Sequence, residues 1–332
     1  MRFFAMLQQA RRFAFVAAAV ALTALGQSGN LNMIMGAGYV SPTPLQVAPG
    51  QVITIFGAGV GSSLTQTVLA GPGNWPASLA GISVTIRQGT DMLAPILKVS
   101  PVSSCAGCGV ITAITVQIPF NLMVFYCSAS LACPDVLVAT DLFVTENGVP
   151  GTLSSVTTLP DQIHILTVCD PVLPGGTGIL PIGGLPCQPE VTHANGVLVS
   201  NANPATVGEE LVAYAVGLGA TNPVVAAGQA AAQPTPTVQT FNLDFNFHAN
   251  ALPAQPSAKP TAPFVPLFTG LTPGYPGLYQ INFVVPPLQS ALPCATGVAP
   301  PPGVNAVNTN LTVSVGGATS FDGAAICVSL VQ

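Results

Sequence analysis

Along FNLDFNFH, Phe241 to His248, apolar and polar side chains alternate without a break. Phe241, Leu243, Phe245 and Phe247 fall on one side, and Asn242, Asp244, Asn246 and His248 on the other. Successive side chains of a strand point to opposite faces, so this period of two sets one face on a core and the other toward water. The same alternation opposes Ile82, Val84 and Ile86 to Ser83, Thr85 and Arg87, and Tyr279, Ile281, Phe283 and Val285 to Gln280, Asn282 and Val284. After residue 26 no segment sustains a helical stripe free of Pro and Gly. The pattern predicts an all-β chain of half-buried strands, as in antiparallel sandwiches.

The strand pattern also repeats. VAPGQVITIFGAGVG (Val47 to Gly61) aligns with ATVGEELVAYAVGLG (Ala205 to Gly219) at an offset of 158. Ala94-Pro95-Ile96-Leu97 resembles Val265-Pro266-Leu267-Phe268, ITAITVQIPF (Ile111 to Phe120) resembles LYQINFVVPP (Leu278 to Pro287), and LFVTENGV (Leu142 to Val149) resembles LTVSVGGA (Leu311 to Ala318). Four matches in one order, at an offset of 158 and then of 171, 167 and 169, predict two β-sandwich domains related by internal duplication with loop insertions and deletions, 37–155 and 193–332. Between them, 156–192 reads as a connecting segment, because Leu173 to Pro189 (LPGGTGILPIGGLPCQP) is rich in Gly and Pro. Ala251 to Pro263 and Ala299 to Val304 are similar inserts inside the second half; proline removes donors and stiffens extended backbone, so both read as surface loops.

Composition changes this picture at the N-terminus. Arg2, Arg11 and Arg12 precede an apolar run of thirteen residues, Phe13 to Leu25, that ends on small residues, the pattern of a secretory signal peptide over 1–26. Thirteen falls short of the roughly eighteen residues that a membrane span needs, and no later run reaches that length, so no transmembrane segment is expected in the mature chain. Only 5% of residues are charged, against roughly a quarter in an average soluble protein. An apolar content of 49% nevertheless supplies the burial that disordered chains lack. Beyond the signal, Arg87, Lys98 and Lys259 stand against eleven acidic residues. Without clusters of Lys and Arg to neutralise phosphates, nucleic acid and acidic membranes are excluded as partners.

All eight cysteines (Cys105, Cys108, Cys127, Cys133, Cys169, Cys187, Cys294 and Cys327) follow the signal, and an even count in an exported chain reads as disulfides. Sequence leaves the pairing open; spacing favours local loops joining Cys105 to Cys108, Cys127 to Cys133, Cys169 to Cys187, and Cys294 to Cys327.

ATVGEELVAYAVGLGATNPVVAAGQ (Ala205 to Gln229), preceded by HANGVLVSNANP (His193 to Pro204) and followed by PGLYQINFVVP (Pro276 to Pro286), resembles the uncharacterised C-terminal domain family abundant in Solibacter and other Acidobacteria. YVSPTPLQVAPGQVITIFGAGVG (Tyr39 to Gly61) is similar to that family's usual opening and to the start of an IPT/TIG immunoglobulin-like domain. The resemblance covers about Ala37 to Leu330. It implies an exported protein, placed outside the cell, on its surface or in a periplasm, with immunoglobulin-like β architecture and no established activity. The expected fold is therefore two tandem immunoglobulin-like β-sandwiches behind a signal peptide. The cysteines and Pro-rich inserts depart from the family pattern.

Candidate chemistry is sparse. The Gly-x-Gly turns at Gly59 and Gly217 lack the helix and the distant acid of a dinucleotide site; Pro223 blocks a helix after the second. Cys105-Ala-Gly-Cys108 runs into a strand rather than the helix start that activates a redox pair, and the five-residue gap between Cys127 and Cys133, which would complete a zinc site, is wider than zinc pairs use. His164, His193 and His248 meet no G-x-S-x-G nucleophile elbow. Glu209 and Glu210 are adjacent on a strand and cannot face each other, and Asp135 with Asp141 is the other carboxylate pair considered for glycoside cleavage. Trp75, in the loop GPGNWPAS, is the candidate ligand contact, since a large ring in a loop needs a reason to be there.

No catalytic, cofactor-binding or metal-ligating residue is assigned. The expected role is a non-catalytic surface or extracellular module for adhesion, protein binding or envelope structure. A carbohydrate-binding accessory module and a secreted hydrolase of unrecognised type are the alternatives. The partner would be a protein or an envelope or glycan component, and sandwich edges poor in Lys and Glu predict self-association.

Overall fold

The computed structural model of the chain describes residues 30–36, 39–40, 45–102, 111–124, 139–170, 172, 187–246, 264–287 and 311–329. Every regular element among them is a strand and none is a helix, as the period of two predicts. The first half holds β1 (Asn30–Gly36), β2 (Tyr39–Val40), β3 (Leu45–Val47), β4 (Val52–Ala58), β5 (Val68–Leu69), β6 (Ser78–Leu79), β7 (Ile82–Gln88), β8 (Thr90–Ala94), β9 (Ile96–Val102), β10 (Ile111–Gln117), β11 (Thr140–Glu146), β12 (Val149–Pro150) and β13 (Ser154–Thr158). The second holds β14 (His164–Ile165), β15 (Val191–His193), β16 (Glu210–Val216), β17 (Thr235–Pro236), β18 (Asn242–Asn246), β19 (Phe268–Leu271), β20 (Tyr279–Val284), β21 (Leu311–Gly316) and β22 (Phe321–Ile326).

In the first half one sheet runs β2-β1-β4-β10-β9-β5 and another β3-β13-β11-β7-β6, with β12 on β11 and β8 on β7. Ile53, Ile55, Ile114 and Val116 from the former meet Ile82, Val84, Leu142 and Val144 from the latter in one core. In the second half β14-β16-β20-β19-β17, with β15 on β16, meets β18-β21-β22. Leu211, Ala213, Tyr279, Ile281 and Phe283 there pack with Leu243, Val313 and Val315. A core filled from two sheets is a β-sandwich arrangement, and the alternation read from sequence supplies its inward faces.

Pairing recurs between the halves. The order β5-β9-β10-β4 is matched by β17-β19-β20-β16, and β7-β11-β13 by β18-β21-β22. Residues at the opening and close of each half lie parallel: Val47 with Thr158, and Ala205 with Val328. The turns before β4 and β16 are also built alike. Gly50 N donates to Ile118 O as Gly208 N does to Val285 O. Gln51 Oε1 accepts from Ala48 N, and Glu209 Oε2 accepts from Thr206 N.

The sheets run past the boundaries that composition suggests. β1 precedes position 37 yet pairs with β4 from Asn30↔Ala58 to Gly36↔Ile53. β14 lies inside the expected connecting segment 156–192, β15 runs across its end, and both pair with β16. Strands this short, in Gly- and Pro-rich surroundings, join through backbone hydrogen bonds that leave no hydrophobic period to read. Cys169 and Cys187, both within that segment, form a disulfide with Cα atoms 5.6 Å apart. Cys327 is also disulfide-bonded. Cys105, Cys108, Cys127, Cys133 and Cys294 lie outside the described residues, as do the signal 1–26, the two Pro-rich inserts, Asp135 and His248.

Candidate functional site

The chain leaving β13 carries a dense cluster of hydrogen-bonded polar side chains. Asp161 is fully buried and accepts from the backbone N–H groups of Ala318 (2.8 Å), Thr319 (3.2 Å) and Ser320 (2.8 Å), and from both hydroxyls of that turn. One carboxylate thus satisfies the β21–β22 hairpin loop from below. Three residues on, His164 Nδ1 faces Asp322 Oδ2 at 2.9 Å, while Nε2 faces both oxygens of Asp170 at 3.2 Å. Carboxylates only accept, so both ring nitrogens donate and the imidazole is a cation. Burial alone would lower its pKa; the hydrogen bonds and charges of Asp170 and Asp322 outweigh that and raise it to about 9. Asp170 also takes Thr167 N and Oγ1, and Asp322 Oδ2 takes Ile165 N. The ring rivets β14 and the Thr167–Asp170 turn to β22.

His193, at the end of β15, has the same character. Nδ1 faces Glu209 Oε1 and Nε2 faces Asn203 O at 3.2 Å. Burial opposes the charge, but these bonds raise the His193 pKa; Glu209, which burial alone would raise, is lowered by His193 and Thr206. Glu210 turns away from Glu209, as expected for adjacent strand residues, and accepts from Asn282 Nδ2 at 3.1 Å. With both nitrogens of each ring facing oxygen acceptors, neither His164 nor His193 has a nitrogen left to take a proton from a nucleophile.

The glycines of both Gly-x-Gly turns have positive φ, from 68° at Gly61 to 82° at Gly219. In the second half the turn also receives backbone: a Cβ at Gly217 would strike Gln162 O, and Gln162 N donates to Gly217 O at 2.8 Å. At Gly59 a Cβ would meet nothing within 4 Å.

Trp75, the candidate ligand contact of the sequence, lies where the two halves meet. The residue is 8% exposed and clusters with Val52 of its own half and with Leu166, Val172 and Val216 of the other. Its loop is held there by backbone: Trp75 N donates to Gly228 O (2.8 Å) and Ala230 N to Gly73 O (3.1 Å), while Gln229 Nε2 reaches Asn74 Oδ1. Gln117, fully buried, accepts Gly228 N at 2.6 Å and donates to Gly50 O at 3.2 Å. A Cβ at Gly277 would sit 2.5 Å from Val52 Cγ2, and one at Gly228 2.8 Å from Pro95 Cβ, so the halves approach where these side chains are missing. Phe120 leans on the second core. A buried seam therefore joins the two halves.

Sequence reasoning missed Asp161, Asp322 and Gln117. Gln117 alone left a signal, as a polar residue whose match in the repeat is Val284. Comparison with protein-family models and with curated proteins finds no match to this chain.

Proposed function

We propose that the chain is a non-catalytic exported module, two tandem immunoglobulin-like sandwiches derived by duplication, that presents a rigid surface for adhesion, protein binding or envelope structure. The seam carries this reading. Domains joined by small polar contacts move relative to one another. Here an indole, a buried carboxamide and close glycine contacts hold the halves in one relation, which suits a spacer or a docking body. The saturated histidines support the reading against a hydrolase, and the resemblance to the Acidobacterial family supports export. Carbohydrate binding is the second reading, and it loses its aromatic candidate to the seam.

Cell fractionation of a C-terminally tagged chain, with N-terminal sequencing of the exported form, tests the proposal. The expected result is a mature chain beginning near Gln27 that sediments with envelope fractions or appears in the medium. A full-length chain retained in the cytoplasm overturns it.

A further inference from the structure

The face by which the first half docks is present twice. Its parts are Gly50, Val52, Gln117 and Phe120, and the offsets that align the repeats carry these to Gly208, Glu210, Val284 and Pro287. The correspondence is physical as well as textual, since the hydrogen bonds around Gly50 and Gly208 are the same pair. Their surroundings are opposite. Val52 is 2% exposed against Gly277, whereas Glu210 is exposed and bonded to Asn282. Gln117 is fully buried and Val284 is 42% exposed. A Cβ at Gly50 would strike Phe120, while one at Gly208 would meet nothing within 4 Å.

We infer that Glu210 closes the second copy of the docking face, so that the chain is a two-unit array that does not add another unit of its own kind head to tail. A face repeated in one direction along a chain can propagate between molecules into an open filament. Docking here would carry Glu210 into the place where Val52 is buried, and an unpaired carboxylate in such an interface is strongly disfavoured. Pro287 in place of Phe120 and Val284 in place of Gln117 remove the aromatic prop and the amide that binds Gly228. The inference rests on the duplication proposed above.

The test uses full-length chains. Val52→Glu places the second half's residue in the seam; Trp75, the sole tryptophan, is expected to shift its emission to the red as the seam opens and leaves the Gly228, Gly277 and Tyr279 side vacant. Glu210→Val/Val284→Gln/Pro287→Phe transfers the docking residues to the second half. By sedimentation or titration this triple variant is expected to bind the Val52→Glu chain at least about tenfold more tightly than the wild type does, because the blocking charge is gone. Equal binding by the triple variant and the wild type overturns the inference and leaves the seam standing. Unchanged Trp75 emission in a folded Val52→Glu chain overturns the seam and the inference together. Should Val52→Glu not fold, Phe120→Asp vacates the same face from a half-buried position.

Discussion

A histidine with a carboxylate on each ring nitrogen loses one of its two hydrogen bonds when it loses its proton. His164 is raised to about 9 in the fold and titrates near 6.5 in an unfolded chain. The folded state therefore holds the proton more tightly, and the stabilisation is fully present below about 6.5 and lost as pH rises through about 9. The shift corresponds to roughly 3 kcal/mol. Urea midpoints measured between pH 6 and pH 10 should fall for the wild type, and fall much less for His164→Gln; parallel curves would contradict the rivet. Asp161→Ala leaves the N–H groups of Ala318, Thr319 and Ser320 without their acceptor, a loss of roughly 2–4 kcal/mol readable in the thermal midpoint. None of this was legible in the sequence. His164 and Asp322 are 158 positions apart, and only the return of the closing hairpin onto the entering strand brings them together.

Among the elements, what could be read was periodic. Ile82, Val84 and Ile86, and Tyr279, Ile281 and Phe283, are buried as their alternation requires. β14 and β15 escaped because two or three residues define no period, and their place is set by pairing with β16. The two Gly-x-Gly turns show the same limit. Sequence makes them equal, yet only the second receives the chain segment that precedes β14. Gly59→Ala should cost about 1–2 kcal/mol, the ordinary penalty for a left-handed backbone in an open site. Gly217→Ala adds a collision with Gln162 O that only backbone movement relieves, so its cost should be roughly 3 kcal/mol or more. Equal losses in a denaturant series would show that Pro160 to Gln162 do not bear on the turn.

At the scale of the whole molecule, the seam decides whether two cores behave as one. Each core is closed by its own sheets, so coupling depends on Trp75, Gln117 and the glycines between them. The Gln117 carboxamide satisfies Gly228 N and Gly50 O at once, and a buried group left without its partner costs about 1–3 kcal/mol. Gln117→Leu keeps the volume and removes both bonds, so it weakens the seam without emptying either core. In the wild type, Trp75 emission and far-ultraviolet circular dichroism should follow one thermal transition, since the indole reports the seam and the dichroism reports the sheets of both halves. In Gln117→Leu the emission change should come first, several degrees below the loss of sheet signal. If both probes still coincide in the variant, at a lower midpoint, the amide stabilises the fold without coupling its halves, and the seam would owe its cohesion to the indole and the glycine contacts.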